Sequence, residues 1–263
     1  MVTPGGSAAE PAAHAKFLSD GVEIAYWDEG QGEPVLLIHG FASNAATNWR
    51  DTRWVSFLVD HGYRVISFDN RGHGASGKLY EPAHYSGPVM AEDARRLLDH
   101  LGIARADVIG YSMGARLAAF LALAHPERVR SAIFAGLGAN MMLGVGPAEP
   151  IAEALLADNL TGIQNEHARG FRIFADQTKS DRRALAACIR ASRDRIPGGE
   201  LAKLAMPVLV VAGTLDTISG PAQPLADVIA GAIALDLPGR DHMKAVGDRG
   251  FKDGVLDFLR RRP

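Results

Sequence analysis

One serine in this sequence stands between small neighbours in a way that suits a nucleophile. It is the centre of Gly110-Tyr111-Ser112-Met113-Gly114, directly after a predicted strand from Asp107 to Ile109 and before a predicted helix that begins near Ala115. A nucleophile on a tight strand-to-helix turn needs neighbours without side chains, and Gly110 and Gly114 meet that need. The positive end of the following helix would also favour an anionic intermediate at this turn.

A serine hydroxyl needs a base to accept its proton and a third group to orient that base. His242 lies in Pro238-Gly239-Arg240-Asp241-His242, a loop between the last predicted strand and the last predicted helix. Asp216 ends Gly213-Thr214-Leu215-Asp216, directly after the predicted strand Val208 to Val211. Side chains gather at the carboxyl ends of parallel strands, so we predict Ser112 as nucleophile, His242 as base and Asp216 as the acid.

Two other carboxylates remain open as the acid. Asp241 adjoins His242, although neighbouring side chains on a loop seldom point at one another, and Asp236 lies inside a predicted strand. Among the nine histidines, His39 is interpreted as an organiser of the loop that it begins, and His73 as a structural residue.

The elements that must position these groups are short runs rich in Val, Ile and Leu, which alternate with amphipathic stretches. Runs from Lys16 to Leu18 and from Val22 to Asp28 flank Ser19-Asp20-Gly21, which predicts a hairpin. Six more strands are predicted at Val35 to Ile38, Arg64 to Phe68, Asp107 to Ile109, Ser131 to Phe134, Val208 to Val211 and Ala232 to Asp236. Helices are predicted at Trp54 to Asp60, Met90 to Leu101, Ala115 to Ala124, Pro224 to Ala230 and Phe251 to Arg261. The pattern predicts an α/β fold with a doubly wound, mostly parallel sheet.

One interval, from Gly136 to Leu204, is too long for a single crossover and is interpreted as an inserted helical cap. Within it, helices are predicted at Ile151 to Ala157, Glu166 to Ala175 and Asp181 to Arg193. The predicted organisation is therefore a mobile tail over 1–15, a core over 16–136 and 205–263, and a cap over 137–204.

Composition excludes several classes of protein. With 263 residues and 47% hydrophobic residues, the chain is typical of one globular domain rather than of a disordered or fibrous protein. Its 28 Lys and Arg residues nearly balance its 30 Asp and Glu residues. No positive electrostatic field is therefore expected to attract nucleic acid. The lone Cys188 cannot form an internal disulfide or a metal cluster, and we expect neither metal nor cofactor. No apolar run is long enough for a membrane span and no secretory signal precedes the core, so a cytoplasmic location is expected. Oligomeric state is left open.

Four motifs together resemble the α/β-hydrolase family, from about Lys16 to the end apart from the cap. His39-Gly40-Phe41 is similar to the family's oxyanion loop, and the stretch from Asp69 to Ser76 to its Gly-rich loop. The other two are Gly110 to Gly114 and the pair formed by Gly213 to Asp216 with His242. The resemblance implies that the backbone amides of Phe41 and Met113 are the oxyanion donors.

The resemblance also narrows the chemistry. Family members that open epoxides or remove halides carry Asp where this chain has Ser112, so acyl transfer to serine and hydrolysis of a small-molecule carboxylic ester are expected. The alternatives are hydrolysis of a carbon-carbon bond beside a ketone, or of an enol-lactone, by the same triad. Haloperoxidase-like perhydrolysis is a side activity that the triad permits, and a ligand-binding receptor without catalysis is a further alternative.

Apolar residues near the nucleophile and in the cap are candidates for the substrate pocket. They are Phe41, Tyr111, Met141, Met142, Leu143, Phe171, Ile173 and Phe174. The competing interpretation is that the cap members are packed core. The cap is also basic, and an arginine pointing inward could hold a substrate carboxylate, the alternative being a solvated helix face. The candidates are Arg169, Arg172, Arg182, Arg183, Arg190, Arg193 and Arg195.

Overall fold

The structure, a computed structural model, describes residues 14–262. The predicted mobile tail over 1–15 therefore lies almost wholly outside the described residues. The predicted boundary of the tail is wrong at Ala15, which pairs with Tyr26 across the first hairpin. The ordered core therefore begins before Lys16. The cross-strand pairing of its backbone is what holds Ala15 in place.

Within the described residues, eight strands form a single sheet. They are β1 (Ala15–Ser19), β2 (Val22–Glu29), β3 (Glu33–Ile38), β4 (Tyr63–Phe68), β5 (Ala106–Tyr111), β6 (Val129–Ala135), β7 (Val208–Gly213) and β8 (Ile233–Leu237). Their order is β1-β2-β4-β3-β5-β6-β7-β8. The predicted hairpin is formed by β1 and β2, and β2 is antiparallel to β4. The six strands β3 to β8 all run parallel to one another. The mostly parallel sheet predicted from sequence is confirmed.

The strand order reverses at β3, which lies between β4 and β5. At such a point the loops leaving neighbouring strands turn to opposite faces of the sheet and leave a crevice at the carboxyl ends. The loop that begins with His39 leaves β3 there, and the turn at Ser112 leaves β5. The topology therefore brings two of the predicted site motifs side by side.

Helices cover both faces of the sheet. They are α1 (Trp54–Asp60), α2 (Gly87–His100), α3 (Met113–Ala124), α4 (Asn140–Leu143), α5 (Glu149–Leu156), α6 (Glu166–Gln177), α7 (Arg182–Ala191), α8 (Gly198–Leu201), α9 (Gln223–Ala226), α10 (His242–Ala245) and α11 (Arg249–Arg261). Because side chains alternate along a strand, Leu36 and Ile38 share a buried cluster with α2 and α3. Val35 and Leu37 share another with α1 and α11. The doubly wound prediction is confirmed.

Between β6 and β7 the chain forms α4 to α8, the segment predicted as a cap. α5 packs against both α6 and α7, and α7 packs against a short 3₁₀ turn at Pro82–Tyr85. Asn165 and Asp181 each begin a helix by accepting backbone N–H groups, which satisfies donors that would otherwise lack a partner. The buried faces of α5 and α7 belong to the same apolar cluster as α2 and α3, so this segment shares the core of the sheet domain.

Several short elements differ from the sequence prediction. The helix predicted from Pro224 to Ala230 is helical only as α9, because the chain continues in tight turns at Val228 and Ile229. α4, α8 and a π-helical turn at Ala46–Arg50 were not predicted. Each spans only four or five residues, too few for an apolar period to be visible in the sequence.

The Gly-rich loop after β4 is held by one buried carboxylate. Asp69 accepts N–H groups from Ala45 (2.8 Å) and Ala75 (2.7 Å), so it ties the loop after β3 to the loop after β4. A Cβ on Gly74, where φ is +44°, would lie 2.0 Å from the same carboxylate, which explains a glycine there. The hydrogen bond from Ala45 to Asp69 thereby holds the loop that carries Phe41.

Candidate active site

The turn between β5 and α3 holds Ser112 in a strained backbone conformation. Its φ of 56° and ψ of −115° lie outside the regions that a residue with a Cβ ordinarily adopts. A Cβ on Gly110 would lie 2.2 Å from the carbonyl oxygen of Gly114, and one on Gly114 would lie 1.9 Å from that of Ile38. The two glycines are therefore what allows α3 to pass close enough to β3 and β5 for this turn to form.

Ser112, His242 and Asp216 form a continuous chain of hydrogen-bonding groups. The Nε2 atom of His242 lies 3.0 Å from the Oγ of Ser112, and its Nδ1 lies 2.8 Å from the Oδ2 of Asp216. Nδ1 donates to the carboxylate, which leaves Nε2 free to accept the serine proton. The structure thus brings together the three residues that the sequence singled out.

The carboxylate of Asp216 is oriented by its own loop. Its other oxygen, Oδ1, accepts the backbone N–H groups of Ile218 and Ser219, each at 2.9 Å, and its side chain is fully buried. Asp241 has a different task, because it accepts N–H groups from Met243 and Lys244 at the start of α10. Asp236 lies on β8 and is exposed. Of the three carboxylates considered, Asp216 is the one in contact with the imidazole.

Tyr111 holds the backbone of His242 in position through a hydrogen bond. Its hydroxyl donates to the backbone carbonyl of His242 at 2.5 Å, and the two rings lie 5.4 Å apart between centroids. Burial raises the pKa of Tyr111, so it remains a neutral donor. The residue before the serine therefore ties the end of β5 to the start of α10, which carries His242.

Two backbone amides are free to bind an oxyanion beside Ser112. Met113 is the first residue of α3, so its N–H has no helical acceptor, and neither it nor the N–H of Phe41 meets an acceptor within residues 14–262. The loop that carries Phe41 is held by Asn48, whose Oδ1 accepts the N–H of Gly40 at 3.1 Å. Asn48 lies in the π-helical turn at Ala46–Arg50 and was not predicted as a site residue.

His39 and His73 are both buried and contact loop backbone, in keeping with the interpretation of His39 as a loop organiser and of His73 as a structural residue. The Nε2 of His39 accepts the N–H of Asn70 at 2.9 Å, so it links the loop after β3 to the Gly-rich loop. His73 is buried with its Nδ1 3.0 Å from the carbonyl of Arg71. Burial lowers the pKa of His39 to about 4 and that of His73 to about 3, so both rings are neutral at neutral pH.

A cavity of about 610 Å³ opens onto Ser112 and His242. Of the predicted pocket residues, Phe41, Tyr111, Phe171, Ile173 and Phe174 line it. The rings of Phe41 and Phe171 meet edge to face at 5.6 Å, so α6 packs against the loop that carries Phe41. The walls are therefore mainly apolar, as a site for an organic substrate requires.

Three predicted pocket residues do not line this cavity, which corrects the prediction. Met141 is fully buried in the core below α4, and Met142 packs against the same cluster, near Gly198. Leu143 is exposed. The four-residue α4 points these side chains away from Ser112, and its direction is set by tertiary packing that the sequence pattern does not reveal.

Other lining residues had not been predicted. They are Ser43, Thr47, Asn48, Thr52, Glu166, His167, Gly170, Gln177, Ile218, Met243 and Val246. Several had a usable signal, because Ile218, Met243 and Val246 each follow a triad residue by one to four positions. Thr47, Asn48 and Thr52 had none, since they lie in or beside the unpredicted π-helical turn.

Most of the cap arginines are engaged by the cap itself. Arg172 is buried and donates to the carbonyls of Ala154 and Ala157, which corrects the solvated-face alternative for this residue. Arg190 pairs with Glu149 on the surface. Arg193 differs from both, because it lines a second, small recess next to Ser112.

Within the described part of the chain, no group of three or more His, Cys, Asp or Glu side chains could hold a metal ion. No helix there is long and apolar enough to cross a membrane.

Comparisons with known proteins agree on the fold. A family model described as the alpha/beta hydrolase fold matches residues 33–170. The non-heme chloroperoxidase CPO-A1 of Kitasatospora aureofaciens is 28% identical over 92% of this chain and 98% of that protein. A 2-hydroxymuconate semialdehyde hydrolase of Pseudomonas putida is 37% identical over 55% of this chain and 48% of that protein. The crystal structure of a hydrolase from Pseudomonas aeruginosa PA01 superimposes with a TM-score of 0.78, at 28% identity, over 94% of this chain and 98% of that one.

Proposed function

The chain belongs to the α/β-hydrolase fold family, and on that premise we propose that it is a serine hydrolase that cleaves a small carboxylic ester through an acyl-enzyme. The observation that carries the proposal is the unbroken chain from Asp216 through His242 to Ser112, whose hydroxyl faces a cavity with mainly apolar walls. An ordered nucleophile, base and acid of this kind recurs on several unrelated folds that catalyse acyl transfer.

In the first half of the reaction, the Oγ of Ser112 attacks the ester carbonyl carbon while its proton passes to the Nε2 of His242. The buried carboxylate of Asp216 stabilises the imidazolium that forms. The carbonyl oxygen becomes an oxyanion, which the free amides of Phe41 and Met113 can bind. When the tetrahedral intermediate collapses, the alcohol leaves with the proton from His242, and the acyl group remains on Ser112.

The second half repeats these steps with water as the nucleophile. His242 accepts a proton from the water, the resulting hydroxide adds to the acyl carbon, and the acid is released as the proton returns to Ser112. The sum is one ester and one water converted to one acid and one alcohol. The twelve-residue helix α3 begins at Met113, so its positive end favours the anionic intermediate in both halves.

A second candidate is hydrolysis of a carbon-carbon bond beside a ketone or of an enol-lactone. The 37% identity to a 2-hydroxymuconate semialdehyde hydrolase favours it. Such reactions would use the same Ser112, His242 and Asp216, so the two candidates differ in substrate and not in machinery. The similarity to a non-heme chloroperoxidase also makes perhydrolysis worth assaying, with hydrogen peroxide in place of water.

The test is turnover of p-nitrophenyl esters of increasing acyl chain length by the wild type, Ser112→Ala and Ser56→Ala. Ser112→Ala should lower kcat by about 10⁵- to 10⁶-fold, because the triad acts as a unit. Ser56→Ala is the matched control, since Ser56 lies exposed on α1, and it should keep full activity.

The outcomes separate the candidates. Ester turnover that depends on Ser112 supports the esterase proposal. Turnover of enol-lactones or vinylogous diketones without ester turnover would replace it by the second candidate. Tight ligand binding with neither activity would mean a receptor, and ester turnover that survives in Ser112→Ala would refute the nucleophile assignment.

A further inference from the structure

A second recess lies beside the nucleophile, and Ser112 lines both it and the large cavity. Its volume is about 30 Å³, room for one or two waters or for a carboxylate group. Ser112, Met113 and Phe41 line it, together with Arg116 and Arg193. It therefore joins the oxyanion amides to two guanidinium groups.

Arg116 is almost entirely buried, at 3% exposure, and most of its donors are unused. Its Nη1 donates to the carbonyl of Asp194 at 2.9 Å, while its Nε is buried with no hydrogen-bond partner. Arg116 lies near the start of α3, four positions after Ser112, and both residues line the recess. A buried guanidinium with a free donor beside a nucleophile is costly unless something binds there.

Arg193 adds a second positive charge to the same recess. Its Nη1 donates to the carbonyls of Val145, Gly146 and Pro147, all neutral acceptors. Within residues 14–262, neither Arg193 nor Arg116 forms an ion pair with a carboxylate. The pKa of each is lowered to about 10, chiefly by burial, and for Arg116 also by the charge of Arg193, against a smaller opposite effect of Asp194. Both groups remain charged at neutral pH, so the recess carries two positive charges that Asp194 offsets only in part.

The residues that line each of the two spaces indicate which part of a substrate would enter the recess. The leaving alcohol must lie near His242, because that residue returns the proton to it. His242 lines the large cavity and does not line the recess, whereas Met113, an oxyanion donor, lines the recess. The alcohol therefore belongs in the large cavity, and the far end of a short acyl chain can reach Arg116 and Arg193.

We propose that Arg116 and Arg193 form an anion subsite for the acyl group, so that the preferred substrates are monoesters of short dicarboxylic acids. A carboxylate there would accept N–H groups from a planar guanidinium, a charge-assisted contact of the strong kind. The hydroxyl of Ser192, which also lines the recess, can donate a further hydrogen bond. This inference rests on the proposed ester hydrolysis and narrows it to an acyl class.

The test compares two esters of the same shape and different charge. Monomethyl succinate carries the carboxylate, and methyl 4-methylpentanoate carries an uncharged isopropyl group in its place; release of methanol is measured for both. The wild type should show the higher kcat/KM for monomethyl succinate. Arg116→Gln and Arg193→Gln should each raise KM for that ester by about 10- to 100-fold, with kcat and the neutral ester little changed, because loss of a charge-assisted hydrogen bond has this size.

Two further variants separate binding from structure. Arg116→Lys keeps the charge and should recover part of the preference, while Arg190→Gln removes a cap arginine that pairs with Glu149 on the surface and should change nothing. If Arg116→Gln and Arg193→Gln lower the turnover of both esters equally, the arginines only hold the cap in place and the subsite is refuted. A wild type that prefers the neutral ester refutes it as well.

Failure of the esterase proposal itself is detected separately. Succinate should raise the melting temperature of the wild type more than butyrate does, and this difference should vanish in Arg116→Gln. If neither ester is hydrolysed and succinate still stabilises only the wild type, the subsite stands and the reaction must be reassigned. If the esters are hydrolysed but succinate and butyrate act alike, the reaction stands and the subsite is wrong.

Discussion

At the residue scale, the hydrogen-bond donors that each carboxylate contacts distinguish the roles of Asp216 and Asp241. Asp216 and Asp241 both lie within reach of His242 in sequence or space, yet Asp216 contacts the imidazole at 2.8 Å and Asp241 caps α10. The first contact fixes the tautomer of the base, whereas the second stabilises a helix end. A pair of single substitutions can therefore separate catalysis from capping.

Asp216→Asn should lower kcat by about 10³- to 10⁴-fold, because an amide no longer selects the imidazole tautomer with a free Nε2. Asp241→Asn should leave kcat within about two-fold, since Asn caps helices as well as Asp does. Steady-state kinetics on one ester measures both. The reverse ranking would assign the acid to Asp241.

The proximity of Ser112, Asp216 and His242 could be predicted because each follows a predicted strand at its carboxyl end, where the topology brings such segments together. Prediction from sequence fails for Met141 and Met142. Both are apolar, both lie in the cap, and the buried packing that holds them away from the cavity depends on Ile196 and Gly198, far along the chain. The unused donors of Arg116 are likewise visible only once the fold is known.

At the scale of elements, the active-site turn depends on how closely α3 approaches β3. The positions where a Cβ would collide, Gly110 and Gly114, meet backbone atoms, which cannot move aside as a flexible side chain can. The strain at Ser112 is therefore held by surrounding structure rather than relieved locally.

Gly114→Ala should lower the free energy of unfolding by about 3 kcal/mol or more, at the upper end of overpacking effects, because its methyl group would meet the carbonyl of Ile38. Gly199→Ala is the control: this glycine lies in α8 with no other group within 4 Å, so its free energy of unfolding should stay within about 1 kcal/mol of the wild type. Urea denaturation measures both. Equal stability of Gly114→Ala and the wild type would contradict the close packing of the turn.

The longer elements follow from apolar periodicity, and α1 has the predicted bounds, Trp54–Asp60. The short elements do not, and one of them matters for the site. The π-helical turn at Ala46–Arg50 carries Asn48, which holds the oxyanion loop through Gly40. Five residues offer no period to recognise, so the sequence could not reveal this support.

At the scale of the whole molecule, two neutral histidines behind the site couple stability to pH. His39 and His73 are both buried, and their pKa values are lowered from 6.5 to about 4 and about 3. Below pH 6.5 these two histidines bind protons in the unfolded chain but remain unprotonated in the folded protein. Stability is therefore highest above 6.5 and is lost as the pH falls toward those lowered values.

The loss should approach about 1.4 kcal/mol per pH unit for each histidine below its ordinary pKa. Urea midpoints between about pH 7 and about pH 4.5, a window above most carboxylate titration, measure it. His73→Gln should reduce the slope by removing one of the two groups, and His61→Gln, at an exposed site after α1, should not. An unchanged slope in His73→Gln would show that this ring does not titrate as its burial requires.

The most direct test of the central claim, that Ser112 is an activated nucleophile, is covalent labelling by a fluorophosphonate. The reagent forms a phosphorus–oxygen bond to an activated serine with loss of fluoride, and mass spectrometry of the digested protein locates the label. We expect a label on the peptide that contains Ser112. It should be absent in Ser112→Ala and form more slowly in Asp216→Asn, with circular dichroism showing that both variants are folded. An unlabelled wild type, or a label on another serine that persists in Ser112→Ala, would contradict the claim.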